Sequence, residues 1–464
     1  MHKNVEKYCL KDKIRTGRKD NMQIEKNTNS QARQRLALLF DDGIYSEINS
    51  MVKENDSLTA VVSAFGYVNG NAVYAFSQDK EINGGAIGEA QAKKIAKLYE
   101  LAAKTGSPVV GIHDSNGAFV DGTAASLAAY GKMLSASAVV SGVVPQISVI
   151  AGTCAGTASM LACSSDFVIM TKDSEFFMAP NTAKGSAQAA AESGIASIIC
   201  DDEKSAINSA RELINLLPVN NLATVPMFEF SEGTAVNGTD VKEVISAVSD
   251  ADSSVELYAE YGKSSYTGFA TIGGSTVGIA AANGKLTSDD CTKLARFIRT
   301  CDAFSIPVVT FVDSEGFDET DVISSVKSMT TLANSYAEAT TAKIAVIAGK
   351  AIGPVFAAIA GDSSNSDFTY AYENAVIAPL APVTAVEFMW HDKLKGAKDL
   401  TAERNKLADE YSKTLASAVT AAENNYIDDV IVPEDTRKVL VSALDILSGK
   451  RVQKLPKKHN NIQF

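Results

Sequence analysis

The stretch VIAGTCAGTASML, Val149 to Leu161, is a hydrophobic run interrupted by small residues. The residues before the interruption are strand-like, whereas those after it space apolar and small side chains as a helix does. The small residues therefore lie where a strand meets a helix start, and the first amides of a helix have no acceptor within it. Small residues such as Gly152 and Gly156 would let a ligand oxygen approach those amides. They would equally suit close packing of the helix on a sheet, so this stretch alone leaves both interpretations open.

The whole chain has the composition of a globular protein with room for two or three domains. It contains 464 residues, of which 46% are apolar and 21% charged. Its net charge of −12 argues against a nucleic-acid partner, because phosphate backbones are bound by positive surfaces. The six cysteines include no CxxC pair, and the chain shows neither a signal peptide nor an apolar run long enough to cross a bilayer. We expect a cytoplasmic protein without a metal.

Two long segments of the chain are repeated. AKLYELAAKTGSPVVGIHDSNGAF, from Ala96 to Phe119, matches ARFIRTCDAFSIPVVTFVDSEGF, from Ala295 to Phe317, in its helix, its Pro-Val-Val strand start and its glycine turn. ISVIAGTCAG, from Ile147, matches IAVIAGKAIG, from Ile344. Matched order over such lengths indicates a duplication. The alternation of helices and strands predicts an α/β fold in each half, with ligands at the strand-to-helix turns.

The chain before the repeat has a different character. Residues 1–31 are polar and predict a short helix with a flexible lead-in. The following ARQRLALLFDDGIYSEI, residues 32–48, predicts an amphipathic helix that ends at Gly43. We place the first domain at 32–235 and the second at 236–464.

Several motifs resemble one family when they are taken in order. They are AVYAFSQDKEINGGAIGEAQAKKI (72–95), SGVVPQISVIAGTCAG (141–156), ARFIRTCDAFSIPVVTFVD (295–313) and the terminal KKHNNIQF. Together with the paired halves, they resemble the carboxyltransferase subunit of biotin-dependent acyl-CoA carboxylases and decarboxylases. That family includes propionyl-CoA carboxylase β subunits and methylmalonyl-CoA decarboxylase α subunits. The resemblance runs from about Ala32 to the last residue.

The resemblance implies two duplicated crotonase-like domains and an active site between the N-terminal domain of one subunit and the C-terminal domain of a neighbour. It therefore implies a homo-oligomer, expected to be a hexamer. The implied reaction moves a carboxyl group between biotin and a short acyl-CoA of the malonyl or methylmalonyl/propionyl type. Because the chain has no Met-Lys-Met biotinylation motif, biotin would sit on a separate carrier protein. A biotin carboxylase or a membrane decarboxylase subunit is a further expected partner.

The resemblance also assigns two sets of site residues. The acyl-CoA side would hold the thioester enolate on the backbone amides of Ala118, Gly156 and Thr157. Gly117 would lie beside them. The biotin side would hold the ureido oxygen of biotin on the backbone amides of Gly316, Gly353 and Val355. Phe317 and Pro354 would lie beside that oxygen. Apart from the resemblance, Lys93, Lys94 and Lys97 on the helix after INGGAIGE are predicted to contact the CoA phosphates, and a solvated helix face is the alternative interpretation of all three lysines.

Amide donors of this kind need no acid–base residue, because loss of carboxylate leaves an anion that the amides stabilise. The chain has only four histidines, and they form no acid–base constellation. We interpret His113 as structural and Cys154 as a small buried residue without a neighbouring base. Asp114 and Asp313, which match in the repeat, are predicted to cap their own turns.

The chain also departs from the family pattern. SNGAF stands where the family has SGGAR, CAGTA stands for CAGGA, and KAIGPV stands for KAYGGA, which introduces Pro354 without an N–H. The segment DETDVISSVKSMTT replaces a glycine-rich one, and the loop after MAPNTAKG is expected to be shortened. Three hypotheses remain: an active carboxyltransferase, a noncatalytic relative that binds CoA or serves as a scaffold, and a crotonase-type hydratase or isomerase. The third would need carboxylates over the acyl chain, and the repeat contains no sign of them.

Overall fold

The computed structural model describes residues 30–54, 57–179, 185–234, 236, 238–318, 322–361, 365–458 and 461. The predicted lead-in, except for its last two residues, lies outside the described residues. So do residues 180–184, which belong to MAPNTAKG itself, and residues 319–321 of the replaced segment.

The first half of the chain contains one mixed sheet and, apart from it, a two-stranded pair. Its strands are β1 (Tyr45–Ile48), β2 (Lys53–Glu54), β3 (Ser57–Leu58), β4 (Val61–Val68), β5 (Asn71–Gln78), β6 (Val109–Ser115), β7 (Gln146–Ala155), β8 (Phe167–Thr171), β9 (Glu175–Phe177) and β10 (Ile198–Cys200). Its helices are α1 (Gln31–Leu39), α2 (Glu89–Thr105), α3 (Thr123–Val140), α4 (Thr157–Cys163), α5 (Ala187–Glu192) and α6 (Glu203–Leu216). The sheet order is β1-β4-β5-β6-β7-β8-β10, with β9 beside β7 and with β2 and β3 as a separate pair.

The second half contains a second sheet of the same design. Its strands are β11 (Val255–Leu257), β12 (Ser265–Ile272), β13 (Ser275–Leu286), β14 (Val308–Phe317), β15 (Lys343–Ile352), β16 (Phe368–Tyr372), β17 (Val376–Ala378) and β18 (Asp429–Ile431). Its helices are α7 (Val241–Val248), α8 (Ser288–Ala303), α9 (Val322–Glu338), α10 (Pro382–Met389), α11 (His391–Leu394), α12 (Leu400–Lys413), α13 (Ala418–Glu423) and α14 (Thr436–Leu447). The sheet order is β11-β12-β13-β14-β15-β16-β18, with β17 beside β15.

Corresponding strands of the two sheets run in corresponding directions. The first three strands of each order pair antiparallel, and the strands that follow are parallel. The predicted α/β fold with two similar halves is confirmed. Because the carboxyl ends of parallel strands meet at one edge of a sheet, the turns after β6 and β7 lie side by side, as do those after β14 and β15.

The two halves share a hydrophobic core. Phe167 of β8 packs edge-on against Phe269 of β12, with ring centroids 5.9 Å apart. Arg296 of α8 extends to the first half and donates to the carbonyls of Ser165, at 3.1 Å, and Asp166, at 3.0 Å. Apolar packing and charge-assisted hydrogen bonds therefore join the two sheets of one chain.

The helix predicted within residues 32–48 is shorter than expected. It ends at Leu39, not at Gly43, and a short 3₁₀ turn over Asp41–Gly43 follows. Asp42 has a φ of 54°, a left-handed conformation that cannot continue a right-handed helix. Tyr45–Ile48 instead forms a strand at the edge of the first sheet, antiparallel to β4.

The segment between the halves contacts the second sheet before the predicted boundary. Met227 forms a bridge with Ser275 of β13, and the amide of Phe228 donates to the carbonyl of Gly274 at 2.7 Å. The division into 32–235 and 236–464 stays a prediction.

Candidate active site

The glycine turn after β6 is held by its own serine. Gly117 has a φ of 103°, which favours glycine, and its amide donates to the hydroxyl of Ser115 at 3.0 Å. A side chain on Gly117 would also meet the Ala155 carbonyl of β7, at 2.9 Å. Strand end, turn and neighbouring strand are therefore in close contact at this point.

The Ala118 amide points away from Ile87, the residue that pairs with this turn. Ile87 donates to the Gly117 carbonyl and accepts from the Phe119 amide, both at 2.9 Å, so its two hydrogen bonds flank Ala118. The described residues provide no acceptor for the Ala118 amide itself. This half-buried N–H is thus available to a ligand oxygen.

At the neighbouring turn, the available amide belongs to Thr157. Gly156 has a φ of 58°, and its amide donates to the Phe177 carbonyl at 2.8 Å, so this predicted donor is already engaged within the fold. Thr157 is the first residue of α4 and has no intrahelical acceptor, and among the described residues no other group accepts from it. The first half therefore brings the amides of Ala118 and Thr157 to adjacent turns.

The second half repeats the first turn closely. Gly316 has a φ of 104°, and its amide donates to the Ser314 hydroxyl at 3.3 Å. Phe317 pairs with Leu286 of β13, whose carbonyl accepts from Asp318 at 2.9 Å. By analogy with Ala118, the amide that points away from the pairing strand belongs to Phe317 and not to Gly316.

The second turn of this half differs at one position. Gly353 has a φ of 64°, and its amide donates to the Ala378 carbonyl at 2.8 Å, as the Gly156 amide does to Phe177. The next residue, which corresponds to Thr157, is Pro354, and proline has no N–H. The following amide belongs to Val355, whose side chain is fully buried.

Asp114 and Asp313 do not cap their own turns, which corrects the prediction. Each carboxylate instead accepts an amide of the adjacent strand: Thr153 for Asp114, at 3.2 Å, and Lys350 for Asp313, at 2.8 Å. Gly152 and Gly349 make room for the two carboxylates, because a side chain there would lie under 3 Å from them. The aspartates therefore tie neighbouring strand ends together.

Of the three lysines predicted to bind CoA phosphates, Lys93 is exposed and Lys97 is partly exposed on α2. Lys94 is buried, and its ammonium donates to the Thr59 hydroxyl at 3.1 Å. Lys93 pairs with Glu89 at 2.9 Å, and Lys97 lies 3.6 Å from Glu100. These surface pairs agree with a solvated helix face, and the phosphate role stays a prediction.

His113 and Cys154 are buried, as a structural role requires. The His113 ring lies 3.1 Å from the Ser148 hydroxyl and packs edge-on against Phe76, and burial lowers the pKa of His113 to about 4. Burial raises the pKa of the Cys154 thiol, so it is protonated at neutral pH.

The described part of the chain has neither a metal-binding cluster nor a helix that could span a membrane. It contains no group of three or more His, Cys, Asp or Glu side chains that could hold a metal ion. None of its helices has the length and apolar character needed to cross a membrane.

Sequence reasoning missed the residues that support the turns. Ser115 and Ser314 stand in the repeated Asp-Ser pair, so the repeat itself could have indicated them. Arg35, which binds Asp114 from α1 at 3.0 Å, lies far from it in sequence and carries no such signal.

Comparison with known proteins gives the family. The carboxyl transferase domain matches residues 25–462. The chain is 36% identical to methylmalonyl-CoA decarboxylase subunit alpha of Propionigenium modestum, over 93% of this chain and 92% of the relative. It is 33% identical to the propionyl-CoA carboxylase beta chain of Cereibacter sphaeroides, over 93% of each chain.

Solved structures agree with the sequence comparison. A crystal structure of transcarboxylase 12S, described as a hexamer with methylmalonyl-coenzyme A and methylmalonic acid bound, superimposes with a TM-score of 0.87. It is 32% identical and covers 93% of this chain and 92% of its own. The likeness confirms the predicted pair of crotonase-like domains. The chain therefore belongs to the carboxyl transferase family.

Proposed function

We propose that this chain is the carboxyltransferase subunit of a biotin-dependent complex and moves a carboxyl group between biotin on a carrier protein and a short acyl-CoA. The acyl-CoA would be of the malonyl or methylmalonyl/propionyl type. The observation that carries the proposal is the pair of adjacent turns in the first half, each with a free backbone amide, in a chain of this family.

The first pair of turns would act on the acyl-CoA. When a malonyl-type thioester loses its carboxylate, negative charge develops on the thioester oxygen as the enolate forms. The amides of Ala118 and Thr157 would donate to that oxygen and stabilise the charge without any proton transfer by a side chain. Gly117 and Gly156 give these turns their shape, because both have positive φ angles.

The second pair of turns would face biotin, which carries the carboxyl group when it is bound. Phe317 offers an amide equivalent to that of Ala118, and Val355 offers the first amide after Pro354. These amides fit an oxygen acceptor. The biotin side has one backbone donor fewer than the acyl-CoA side, because Pro354 stands where the acyl-CoA side has Thr157.

Pro354 favours a second candidate function. A subunit that binds acyl-CoA in its first half but has lost one backbone donor of its second half would be a noncatalytic member of such a complex, acting in CoA binding or as a scaffold. The same departure would give an active enzyme with a slow biotin-side step.

The family also suggests how the subunit is assembled. A homo-hexamer, as described for transcarboxylase 12S, would bring the first half of one subunit against the second half of a neighbour. A biotin carrier protein is the required partner, with a biotin carboxylase or a membrane decarboxylase subunit as the further component.

One assay separates the two functions. Purified protein is incubated with malonyl-CoA or methylmalonyl-CoA, with and without a biotinylated carrier domain, and carboxyl transfer and CoA-ester binding are both measured. Biotin-dependent loss of carboxylate supports the carboxyltransferase. CoA-ester binding without turnover supports the noncatalytic subunit, and the absence of both contradicts the proposed site.

A further inference from the structure

A buried arginine connects helix α1 to the end of β6. Arg35 is 1% exposed, and its guanidinium lies 3.0 Å from the Asp114 carboxylate. The same guanidinium pairs with Glu203, at the start of α6, at 2.6 Å. Two carboxylates thus hold one guanidinium in a fixed position between two helices and a strand end.

Asp114 joins the ends of three strands through hydrogen bonds. Its carboxylate accepts the Thr153 amide of β7 at 3.2 Å, and its own amide on β6 donates to the Gln78 side chain, at the end of β5, at 3.1 Å. Arg35 also donates to the Gln78 carbonyl, at 3.4 Å. The ends of β5, β6 and β7 are therefore fixed around one ion pair.

Two of these strand ends lead directly to the amides of the first half. Ser115 follows Asp114 and accepts the Gly117 amide, one residue before Ala118. Thr153 lies on β7, which ends at Ala155, two residues before Thr157. Asp114 therefore links β6 to β7 shortly before the turns that carry the Ala118 and Thr157 amides.

The second half lacks this arrangement. Asp313 accepts the Lys350 amide at 2.8 Å, as Asp114 accepts that of Thr153. Among the described residues, however, no lysine or arginine side chain forms an ion pair with Asp313. The buried arginine–aspartate pair is thus found in the half that carries both free amides, and its counterpart is missing from the described residues of the other half.

We propose that Arg35 is a positioning residue for carboxyl transfer: by holding Asp114, it sets the spacing of the Ala118 and Thr157 amides. This inference rests on the proposed function of those amides. Without Arg35, Asp114 would keep only Lys80, which is half-exposed and 3.4 Å away, as a cationic partner. The strand ends would then move apart, and misplaced donors stabilise a developing oxyanion poorly.

The test compares Arg35→Met and Arg35→Lys with Arg33→Met as the matched control. Arg33 lies on the same helix and binds Glu47 through two hydrogen bonds, of 2.9 and 3.1 Å, away from the turns. We expect Arg35→Met to lower kcat for malonyl-CoA turnover about 100-fold, with KM within about threefold of the parent value. Arg35→Lys should recover at least about tenfold of that loss, because its ammonium keeps a positive charge beside the Asp114 carboxylate.

Asp114→Asn supplies the second line of the test. If Arg35 acts through Asp114, the double variant Arg35→Met/Asp114→Asn should be no slower than Asp114→Asn alone. Unchanged kcat in Arg35→Met overturns the proposal. A loss that Arg35→Lys does not rescue, or independent losses in the double variant, overturns it as well.

Amide hydrogen exchange keeps this inference separate from the proposed function. In Arg35→Met, exchange should accelerate in the segments 115–119 and 153–158 and stay at parent values in β12–β16, and the acceleration should be smaller in Arg35→Lys. If the parent protein shows no turnover, the proposed function fails, and the exchange result still decides the role of Arg35. Uniform acceleration over the whole chain would show a structural role only.

Discussion

Thr157 and Pro354 occupy equivalent positions in the two halves, and only Thr157 has a backbone N–H. Each follows a glycine with a positive φ, Gly156 at 58° and Gly353 at 64°. The two glycine amides donate to equivalent carbonyls, Phe177 and Ala378, both at 2.8 Å. The two turns are therefore alike up to the residue that would donate to a ligand, and they differ there by one hydrogen bond.

Pro354→Ala restores the missing amide. We expect the carboxyl-transfer rate with a biotinylated carrier to rise by at least about tenfold, because one backbone donor to a developing charge is worth about 100-fold or more. Binding of the CoA ester should not change. Pro382→Ala, at the start of α10, is the control for removing a proline. An unchanged rate in Pro354→Ala would show that this position contributes nothing to the biotin side.

Gly156→Val tests the first half. At a φ of 58° and a ψ of −132° a branched side chain is strained, although the space beside Gly156 is open, with the Met178 carbonyl at 3.9 Å. We expect loss of acyl-CoA turnover with the fold retained, measured by kcat/KM and by thermal unfolding. Gly396→Val, at another positive-φ glycine in an exposed loop with no heavy atom within 4 Å, is the control. Full activity in Gly156→Val would remove the proposed Thr157 donor.

Asp166 should make the protein less stable as pH rises. Burial raises the pKa of Asp166 from 3.8 to about 6. The folded state therefore binds its proton more tightly than the unfolded state does, and stability is lost as pH rises through this interval. Asp166→Asn should stabilise the protein at neutral pH by about 3 kcal/mol, and the gain should vanish below the unfolded pKa.

Asp367 is the matched control for this measurement. Asp166 accepts the Gln146 amide and Asp367 accepts the Lys343 amide, both at 2.8 Å, but Asp367 also pairs with Lys450 at 2.7 Å. Asp367→Asn should therefore destabilise the protein at neutral pH, where Asp166→Asn stabilises it. Urea unfolding of both variants at several pH values checks this, and equal signs for the two would contradict the account.

His113 should have the opposite effect in acid. Its pKa falls from 6.5 to about 4 on burial, so the unfolded state binds the proton more tightly. Stability from this residue is complete above the unfolded pKa and is lost as pH falls toward the folded pKa, by up to about 3 kcal/mol. In His113→Gln this part of the acid sensitivity should disappear, as urea unfolding against pH would show. An identical pH dependence in parent and variant would contradict the buried neutral imidazole.

The repeat made the fold predictable, because two copies of one pattern confirm each other. Both Pro-Val-Val segments begin strands, β6 and β14, and the small residues after Ala151 lead from β7 into α4 as expected. The end of α1 was not predictable in this way. It depends on the left-handed Asp42 and on pairing of β1 with β4, and neither follows from helical periodicity.

The candidate site was predictable in position but not in detail. The turns were found because glycines and small residues mark places where backbone amides can be reached. Which amides are free depends on partners from other strands. The Phe177 carbonyl accepts from the Gly156 amide, and the Ala378 carbonyl accepts from the Gly353 amide. The same limit applies to Arg35, whose ion pair with Asp114 joins residues far apart in sequence.

The most direct test of the central claim is malonyl-CoA decarboxylation by the purified chain with a biotinylated carrier, comparing the parent with Thr157→Pro. Thr157→Pro gives the first half the same missing donor that Pro354 gives the second. The account predicts biotin-dependent turnover in the parent and a loss of about 100-fold in Thr157→Pro, with the CoA ester still bound. Equal turnover in both proteins would contradict it.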